Sequence, residues 1–203
     1  MTHTRRTDPL GTPGRTGAAR STLPLLYQSG AERARFGEIR LFSIALAHHA
    51  RGESRRLLNR ILADSTILYN LYKKHHRVVG GTVFHELRLL FDRHAEEQLK
   101  VIDLVGERVH RIGGVAIADP RHVAELTTVP RPPGGDEKVP EMLARLLEAH
   151  EIVLGKVREA IEKAAAGHDD GTADLLMGEV LRTNELQVWF VAEHLVNLSA
   201  AEV

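Results

Sequence analysis

The placement of the chain breakers constrains the fold of this chain more than any other feature. Apolar residues recur every three or four positions over four long stretches, which is the pattern of amphipathic helices. The breaks after the first and third stretches, at Gly80-Gly81 and at residues 167–171, are only two to five residues long. The break in the middle, residues 113–138, spans about 26 residues and contains four prolines. The sequence therefore predicts two helical hairpins joined by one long connection.

The length of this connection selects the topology. A helix of about 29 residues is ~43 Å long, whereas 26 extended residues reach ~85 Å, so the connection can cross the whole bundle. One long crossover between helices two and three is the ferritin-like arrangement of a four-helix bundle. We predict an all-α chain with this bundle at residues 51–203 and a flexible, Arg-rich arm at residues 1–50. The predicted helices run from about Arg51 to Gly80, from Val83 to Ile112, over Pro120–Leu126, from Val139 to the break at 167, and from Thr172 to Val196.

The composition excludes several classes of site. The chain has no cysteine, so disulfides, thiolate metal sites and Cys nucleophiles are excluded. No apolar run approaches the ~18 residues of a membrane span, and no apolar segment follows Arg5 and Arg6 as in a signal peptide. We therefore expect a cytoplasmic protein without a membrane contact. Twelve histidines make a metal site a hypothesis to test.

Charge is balanced overall but unevenly distributed. The 27 basic and 27 acidic residues cancel, yet residues 1–60 carry eleven Arg and four acids, a net charge of +7. The remainder therefore carries −7 at neutral pH. This asymmetry suggests different roles for the arm and for the bundle.

The second predicted helix carries ligand-type side chains in one sector of its surface. These residues are His85, Asp92, Glu96, Asp103, Glu107 and His110. A solvated charged face is one interpretation. Asp92 and Asp103 are ~16 Å apart along the helix, so they cannot share a metal within one chain.

A symmetric dimer would bring these residues together. If two copies of the helix pack antiparallel about an axis near residues 97–98, position 92 faces 103, 88 faces 107 and 85 faces 110. An oxygen-rich site containing a histidine suits iron. His76, at the end of the first helix, could reach the same place.

These residues resemble the signature of a known family. The quoted positions are Tyr72-Lys73-Lys74-His75-His76, Gly81, Phe84, Leu87, Phe91-Asp92, Asp103, Glu107-Arg108 and Gly113-Gly114. They look like the Dps family of miniferritins, over roughly residues 50–197. The resemblance implies inter-subunit ferroxidase ligands at His76, Asp92, Asp103 and Glu107.

The same resemblance implies a function. It implies a hollow shell of twelve subunits that oxidises Fe(II), usually with hydrogen peroxide, and stores the ferric mineral. Such a protein protects the cell and its DNA from oxidative damage. Iron is the expected metal, with zinc as an alternative occupant, and dioxygen remains an alternative oxidant.

Two positions depart from the family pattern. Arg88 stands where the family has its second ligand histidine, and Arg77 stands where a Trp is usual. An arginine stays protonated and cannot ligate a metal. Opposite Glu107 of a second copy, Arg88 could form an ion pair and fill the site, leaving the enzyme weakened, inactive or rebuilt. We expect His85, together with His110, to supply replacement or additional ligands.

The arm has two interpretations. Arg5, Arg6, Arg15 and Arg20 oppose Asp8 alone in the first twenty residues. They could bind DNA phosphates without sequence preference, with avidity from many copies on a shell, or they could be a solubilising extension. The alternative function is therefore a structural or DNA-compacting shell, associated with the nucleoid, whose oxidation site is degenerate.

The remaining histidines receive simpler interpretations. His150 lies in an apolar stripe and is expected to be a hydrogen-bonded core residue. His75 and His94 are expected to be surface residues or ligands. His48-His49 are expected to precede the first helix.

Two further groups leave alternatives open. Trp189 and Phe190 are expected in the core or at a subunit contact. Asp169, Asp170 and Asp174 could line an acidic pore that attracts Fe(II), or could stabilise a helix N-terminus.

Overall fold

The computed structural model describes residues 32–201, with side chains over residues 32–196. It contains helices α1 (His48–Val78), α2 (Phe84–Arg111), α3 (Pro120–Leu126), α4 (Val139–Ala166), α5 (Asp170–Leu175) and α6 (Arg182–Ala201). A π-helical segment, Leu176–Leu181, joins α5 to α6 without a break. Over the described part of the chain there is no β-strand, so the all-α prediction is confirmed.

The topology is that of the predicted bundle. Helices α1 and α2 form one hairpin, and α4 forms a second hairpin with the continuous helix from α5 to α6. The long crossover carries α3, which packs against α1. The central core includes large side chains with almost no exposed surface: Leu58, Ile61, Leu68, Tyr72, Leu87, Phe91, Ile112, Met142, Leu143, Leu146 and Leu176.

An irregular segment before α1 is fixed to the end of α2. The Arg51 guanidinium donates to the carbonyl oxygens of Ile112 (2.9 Å), Arg40 (2.8 Å) and Phe42 (3.2 Å). The Arg40 N–H in turn donates to the carbonyl of Gly113 at 2.8 Å. Gly113 has φ +91°, and a Cβ there would collide with the Arg40 carbonyl oxygen, so glycine is required.

The start of α1 was predicted three residues too late. His48 and His49 are the first residues of this helix and do not precede it. Ala50 is the only apolar residue in the first turn of α1, so this turn shows no periodic apolar pattern.

The helix predicted from Thr172 begins two residues earlier, at Asp170, and contains a π-helical segment that the periodicity did not indicate. Its N-cap is Asp169, whose buried carboxylate accepts from Thr172 and forms an ion pair with Arg108. The alternative of a helix N-terminal role is therefore confirmed for Asp169, and the pore stays a prediction. The π segment was predicted as ordinary α-helix, because a π bulge adds one residue without changing the apolar character of the stretch.

Candidate metal centre

The candidate site begins with the contact between the end of α1 and the start of α2. Nδ1 of His76 lies 3.0 Å from the carbonyl oxygen of Arg88. Since a carbonyl only accepts hydrogen bonds, the neutral ring carries its proton on Nδ1 and has its lone pair on Nε2. A metal-binding histidine is commonly oriented in this way, by a backbone acceptor on its other nitrogen.

Asp92 lies beside His76, and a lysine holds it. Nζ of Lys73 donates to Oδ1 of Asp92 at 2.6 Å, and Nδ1 of His76 is 3.8 Å from the same oxygen. The hydrogen bond from Lys73 lowers the pKa of the Asp92 carboxyl below its usual value, and the charge of Arg88 acts in the same direction. The side chain is 41 % exposed. Asp92 is therefore an ionised carboxylate that is open to solvent.

Sequence reasoning missed Lys73 as a member of this site. The signal that could have found it is the register of the α1–α2 hairpin, which turns near Gly80-Gly81. Residues a similar distance before and after this turn lie side by side, so Lys73 falls near the first turns of α2.

The Arg88 side chain makes a contact within its own chain. Its Nη1 donates to the carbonyl oxygen of His76 at 3.1 Å, and its guanidinium lies 5.7 Å from the centroid of the Phe84 ring. The backbone of Arg88 thus orients the His76 ring while its side chain caps the end of α1. The expected ion pair with Glu107 of a second copy stays a prediction.

Asp103 and Glu107 lie near the other end of α2. Both are exposed, one helical turn apart. With Leu62 and His110 they line a shallow cleft of about 340 Å³. Oε2 of Glu107 pairs with Arg111 at 2.7 Å, an exposed contact that is easily exchanged.

The structure brings the predicted ligands together in pairs. His76 lies with Asp92, and Asp103 with Glu107, while His85 and His110 are exposed at the two ends of α2. Over residues 32–201 of a single chain, three or more His, Asp or Glu side chains nowhere gather in a way that could hold a metal ion. The shared site, including His85, therefore stays a prediction about two copies of the chain.

The bundle core contains a polar network that is separate from these pairs. The Tyr72 hydroxyl lies 2.6 Å from Nε2 of His150 and 3.1 Å from Nδ1 of His94. Nδ1 of His150 lies 2.9 Å from Oδ1 of Asn184. The prediction of a hydrogen-bonded core residue is confirmed for His150.

The interpretation of His75 and His94 as surface residues or ligands is wrong. Both are fully buried. His94 joins the polar network, and His75 packs against Phe91. Their positions on the helices turn them toward the core, and burial lowers the pKa of His75 to about 4 and that of His94 to about 3.

Trp189 and Phe190 lie in different environments. Phe190 is half-buried and packs against the core, whereas Trp189 is 57 % exposed and does not belong to it. A subunit contact remains the prediction for Trp189. The arginines of the arm, Arg5, Arg6, Arg15 and Arg20, lie outside the described residues.

Comparison with known proteins agrees with this fold. The family model for the ferritin-like domain matches residues 55–201. The structure of DpsC from Streptomyces coelicolor is 56 % identical, with a TM-score of 0.80, and the match covers 81 % of this chain and 96 % of that chain. The fold and the family match together define this chain as a ferritin-like protein.

Two relatives narrow the class of protein to which this chain belongs. An uncharacterised protein from Kitasatospora aureofaciens is 51 % identical over 142 residues, 70 % of this chain and 95 % of that protein. A nutrient stress-induced DNA-binding protein from Synechococcus is 36 % identical, over 63 % of this chain and 73 % of its own length. The chain belongs to the Dps family of ferritin-like proteins, a family associated in general with iron storage and DNA protection. Across residues 32–201, none of the helices is long and apolar enough to span a membrane.

Proposed function

We propose that this protein binds Fe(II) between two subunits, oxidises it, with hydrogen peroxide as the preferred oxidant, and stores the ferric product inside a shell of twelve subunits. One observation carries the proposal. The free Nε2 of His76 and the ionised Asp92 lie near one end of α2, and Asp103 and Glu107 lie near its other end. Each pair is half of a metal site.

The outward face of α2 supports pairing with a second copy. Leu89 (59 % exposed) and Leu99 (46 % exposed) fall in the same helical sector as Asp92, Asp103 and Glu107. Exposed apolar side chains on one face favour an interface. An antiparallel dimer about residues 97–98 would cover both leucines and would place each His76–Asp92 pair opposite Asp103 and Glu107 of the partner.

The residues of such a site would have distinct roles. The three carboxylates would attract Fe(II) and offset its charge, and Nε2 of His76 would supply a neutral ligand. Lys73 holds Oδ1 of Asp92, so Oδ2 would be the oxygen that binds the metal. Arg88 would orient His76 through its backbone carbonyl but could not bind the metal itself. A further nitrogen ligand would therefore come from His85.

Anaerobic loading with Fe(II), followed by addition of peroxide to the assembled protein, tests the proposal. Ferric absorbance should rise faster than in a protein-free control and should saturate with iron. Asp92→Ala and Glu107→Ala should each slow this rise steeply, while Glu125→Ala, an exposed carboxylate on α3, should not change it. Unchanged rates in both site variants would overturn the proposal.

The role of His85 needs its own variant. His85→Ala should lower both the amount of iron bound before oxidation and the oxidation rate, and zinc added first should inhibit the same step if it occupies the site. Iron occupancy and rate equal to those of the unmodified protein would show that His85 is not a ligand.

A second candidate function follows from Arg88 and Lys73. Both place a positive charge near the His76–Asp92 pair, which opposes cation binding. The protein would then be a structural or DNA-compacting shell, a role consistent with the DNA-binding name of the Synechococcus relative. Deleting residues 1–30 should abolish a DNA mobility shift and leave iron oxidation unchanged. A DNA shift that survives the deletion would contradict the role of the arm.

A further inference from the structure

The polar network in the bundle core has a defined direction of hydrogen bonding. Asn184 uses its NH₂ group to donate to Val180, so its Oδ1 accepts from Nδ1–H of His150. Nε2 of His150 is therefore unprotonated and accepts the Tyr72 hydroxyl proton at 2.6 Å. The phenol oxygen accepts from Nδ1–H of His94 at 3.1 Å.

This arrangement prepares Tyr72 to lose an electron and a proton together. An oxidised phenol is a strong acid, and it must pass its proton to a base already in place. Tyr72 is completely buried, so water cannot serve, and Nε2 of His150 is the acceptor at hand. Burial raises the pKa of the Tyr72 hydroxyl well above its ordinary value, so it is a protonated phenol before oxidation.

A line of aromatic rings connects Tyr72 with the surface. The ring of Tyr72 lies 5.2 Å from that of His94, which lies 6.1 Å from Phe190, and Phe190 lies 5.2 Å from Trp189. The last ring is exposed. At the other end, Tyr72 precedes His76 by one helical turn, ~6 Å along α1.

We infer that Tyr72, His150 and the ring series His94–Phe190–Trp189 form a one-electron redox relay between the candidate iron site and the protein surface. Its use at the iron site rests on the proposed function. When one Fe(II) meets one hydrogen peroxide, iron supplies one electron and Tyr72 the second. The O–O bond breaks, two solvent protons complete two water molecules, and Fe(III) and a Tyr72 phenoxyl radical remain. The phenolic proton resides on Nε2 of His150.

Trp189 completes the cycle. Electron transfer from its indole reduces the phenoxyl radical, His150 returns the proton to Tyr72, and the indole loses its N–H proton to solvent. The hole is then at the surface, where external reductants reach it. The relay thus prevents release of a hydroxyl radical when iron is scarce relative to peroxide.

An iron-free experiment tests the relay independently of the ferroxidase site. Trp189 is the only tryptophan, and the chain has three tyrosines, Tyr27, Tyr69 and Tyr72. In the assembled Tyr27→Phe/Tyr69→Phe double variant, Tyr72 is therefore the only tyrosine. Azidyl radicals generated by pulse radiolysis oxidise Trp189. Because a path that carries the hole outward also carries it inward, part of the indolyl absorption should convert to tyrosyl absorption until the two radicals are in equilibrium, at a rate independent of protein concentration.

Two further variants make the result specific. Adding Tyr72→Phe to the double variant should abolish the tyrosyl signal. Phe190→Leu removes one ring of the series and keeps the Tyr72–His150 hydrogen bond, so it should slow the electron transfer. This variant still tests the relay if Tyr72→Phe does not fold. Indolyl decay without tyrosyl growth in the double variant, or an unchanged transfer rate in Phe190→Leu, would overturn the relay.

Radical trapping with iron then tests the complete proposal. With one Fe(II) per site and excess peroxide, electron paramagnetic resonance of rapidly frozen samples should show an organic radical that is lost in Tyr72→Phe and kept in Tyr69→Phe. Rapid iron oxidation without this radical would overturn the relay and leave the ferroxidase proposal standing. Radiolytic transfer from Trp189 to Tyr72 without iron oxidation would overturn the ferroxidase proposal and leave the relay standing.

Discussion

At the scale of single residues, the most informative side chain is Arg88. Its backbone carbonyl fixes the tautomer of His76, and its guanidinium is bound to the His76 carbonyl oxygen. The arginine is therefore held away from the Nε2 lone pair of His76 while still contributing positive charge near Asp92. On the proposed function, Arg88 stands where the family resemblance implies a ligand histidine, and it orients the neighbouring proposed ligand, His76.

Restoring the family histidine should strengthen the site. Arg88→His removes a positive charge and adds a neutral nitrogen ligand, and the backbone acceptor for His76 is retained. Anaerobic Fe(II) titration should show tighter binding, and oxidation should be faster. Lys100→His, an exposed substitution elsewhere on α2, should have no effect. Weaker iron binding in Arg88→His would show that the guanidinium itself supports the site.

The buried histidines predict how stability depends on pH. Burial lowers the pKa of His150 to about 4 and that of His94 to about 3, whereas unfolded histidine titrates near pH ~6.5. Below that pH the unfolded chain binds protons that the folded chain does not. The free energy of unfolding should therefore fall as pH drops from ~6.5 toward ~4, by roughly 1.4 kcal/mol per pH unit for each histidine.

Denaturant unfolding at fixed protein concentration, between neutral pH and about pH 5, measures this slope. His150→Gln should reduce the slope by the contribution of one histidine, and His49→Gln, an exposed substitution, should not. A slope that is the same in the His150 variant would contradict this explanation.

At the scale of elements, the continuous helix from α5 to α6 contains an irregular segment that sets the register of the buried side chains after it. The π segment Leu176–Leu181 precedes Asn184 and Gln187, which are both buried. Gln187 and Asn184 both accept from Nε2 of Gln98 on α2, at 2.9 and 3.1 Å. The side chains after the segment thus keep a register that connects α6 to α2 and α4.

Single-residue deletions test whether the π segment is one inserted residue. Deleting Gly178, within the segment, should convert it to regular α-helix and keep the register on both sides. Deleting Gly155, in regular α4, should rotate the following buried residues by about 100° out of the core. A Cβ at either glycine meets nothing within 4 Å, so the two sites are matched.

Circular dichroism, thermal unfolding and sedimentation distinguish these outcomes. The Gly178 deletion should retain helix content and assembly, whereas the Gly155 deletion should lose both. Equal damage from the two deletions would mean that the π segment holds more than one inserted residue.

The limits of prediction from sequence follow from the same elements. The helical stretches and the crossover could be predicted, because periodic apolar residues and Pro120 or Gly113 mark elements through local chemistry. The Lys73–Asp92 contact and the burial of His75 and His94 could not, because they depend on which faces of α1 and α2 meet. A role of Asp169 at a helix N-terminus was one of two alternatives from local chemistry, whereas its ion pair with the distant Arg108 could not be predicted.

At the scale of the whole molecule, the open face of α2 links the site to assembly. The two pairs of proposed ligands lie near opposite ends of this face, with exposed Leu99 between them and exposed Leu89 one turn before Asp92. In the proposed dimer, a two-fold axis would place each pair opposite the complementary pair of the partner and would cover both leucines. Iron binding and dimer formation should therefore depend on the same surface.

The central claim, that the site is shared between subunits, is tested most directly by mixing two inactive variants. In shells coassembled from Asp92→Ala and Glu107→Ala chains, a dimer of unlike chains has one site with both carboxylates intact and one site with neither. Random mixing should therefore restore about a quarter of all sites. We expect iron oxidation well above that of either variant alone. Activity no higher than the average of the two separate variants would contradict a shared site.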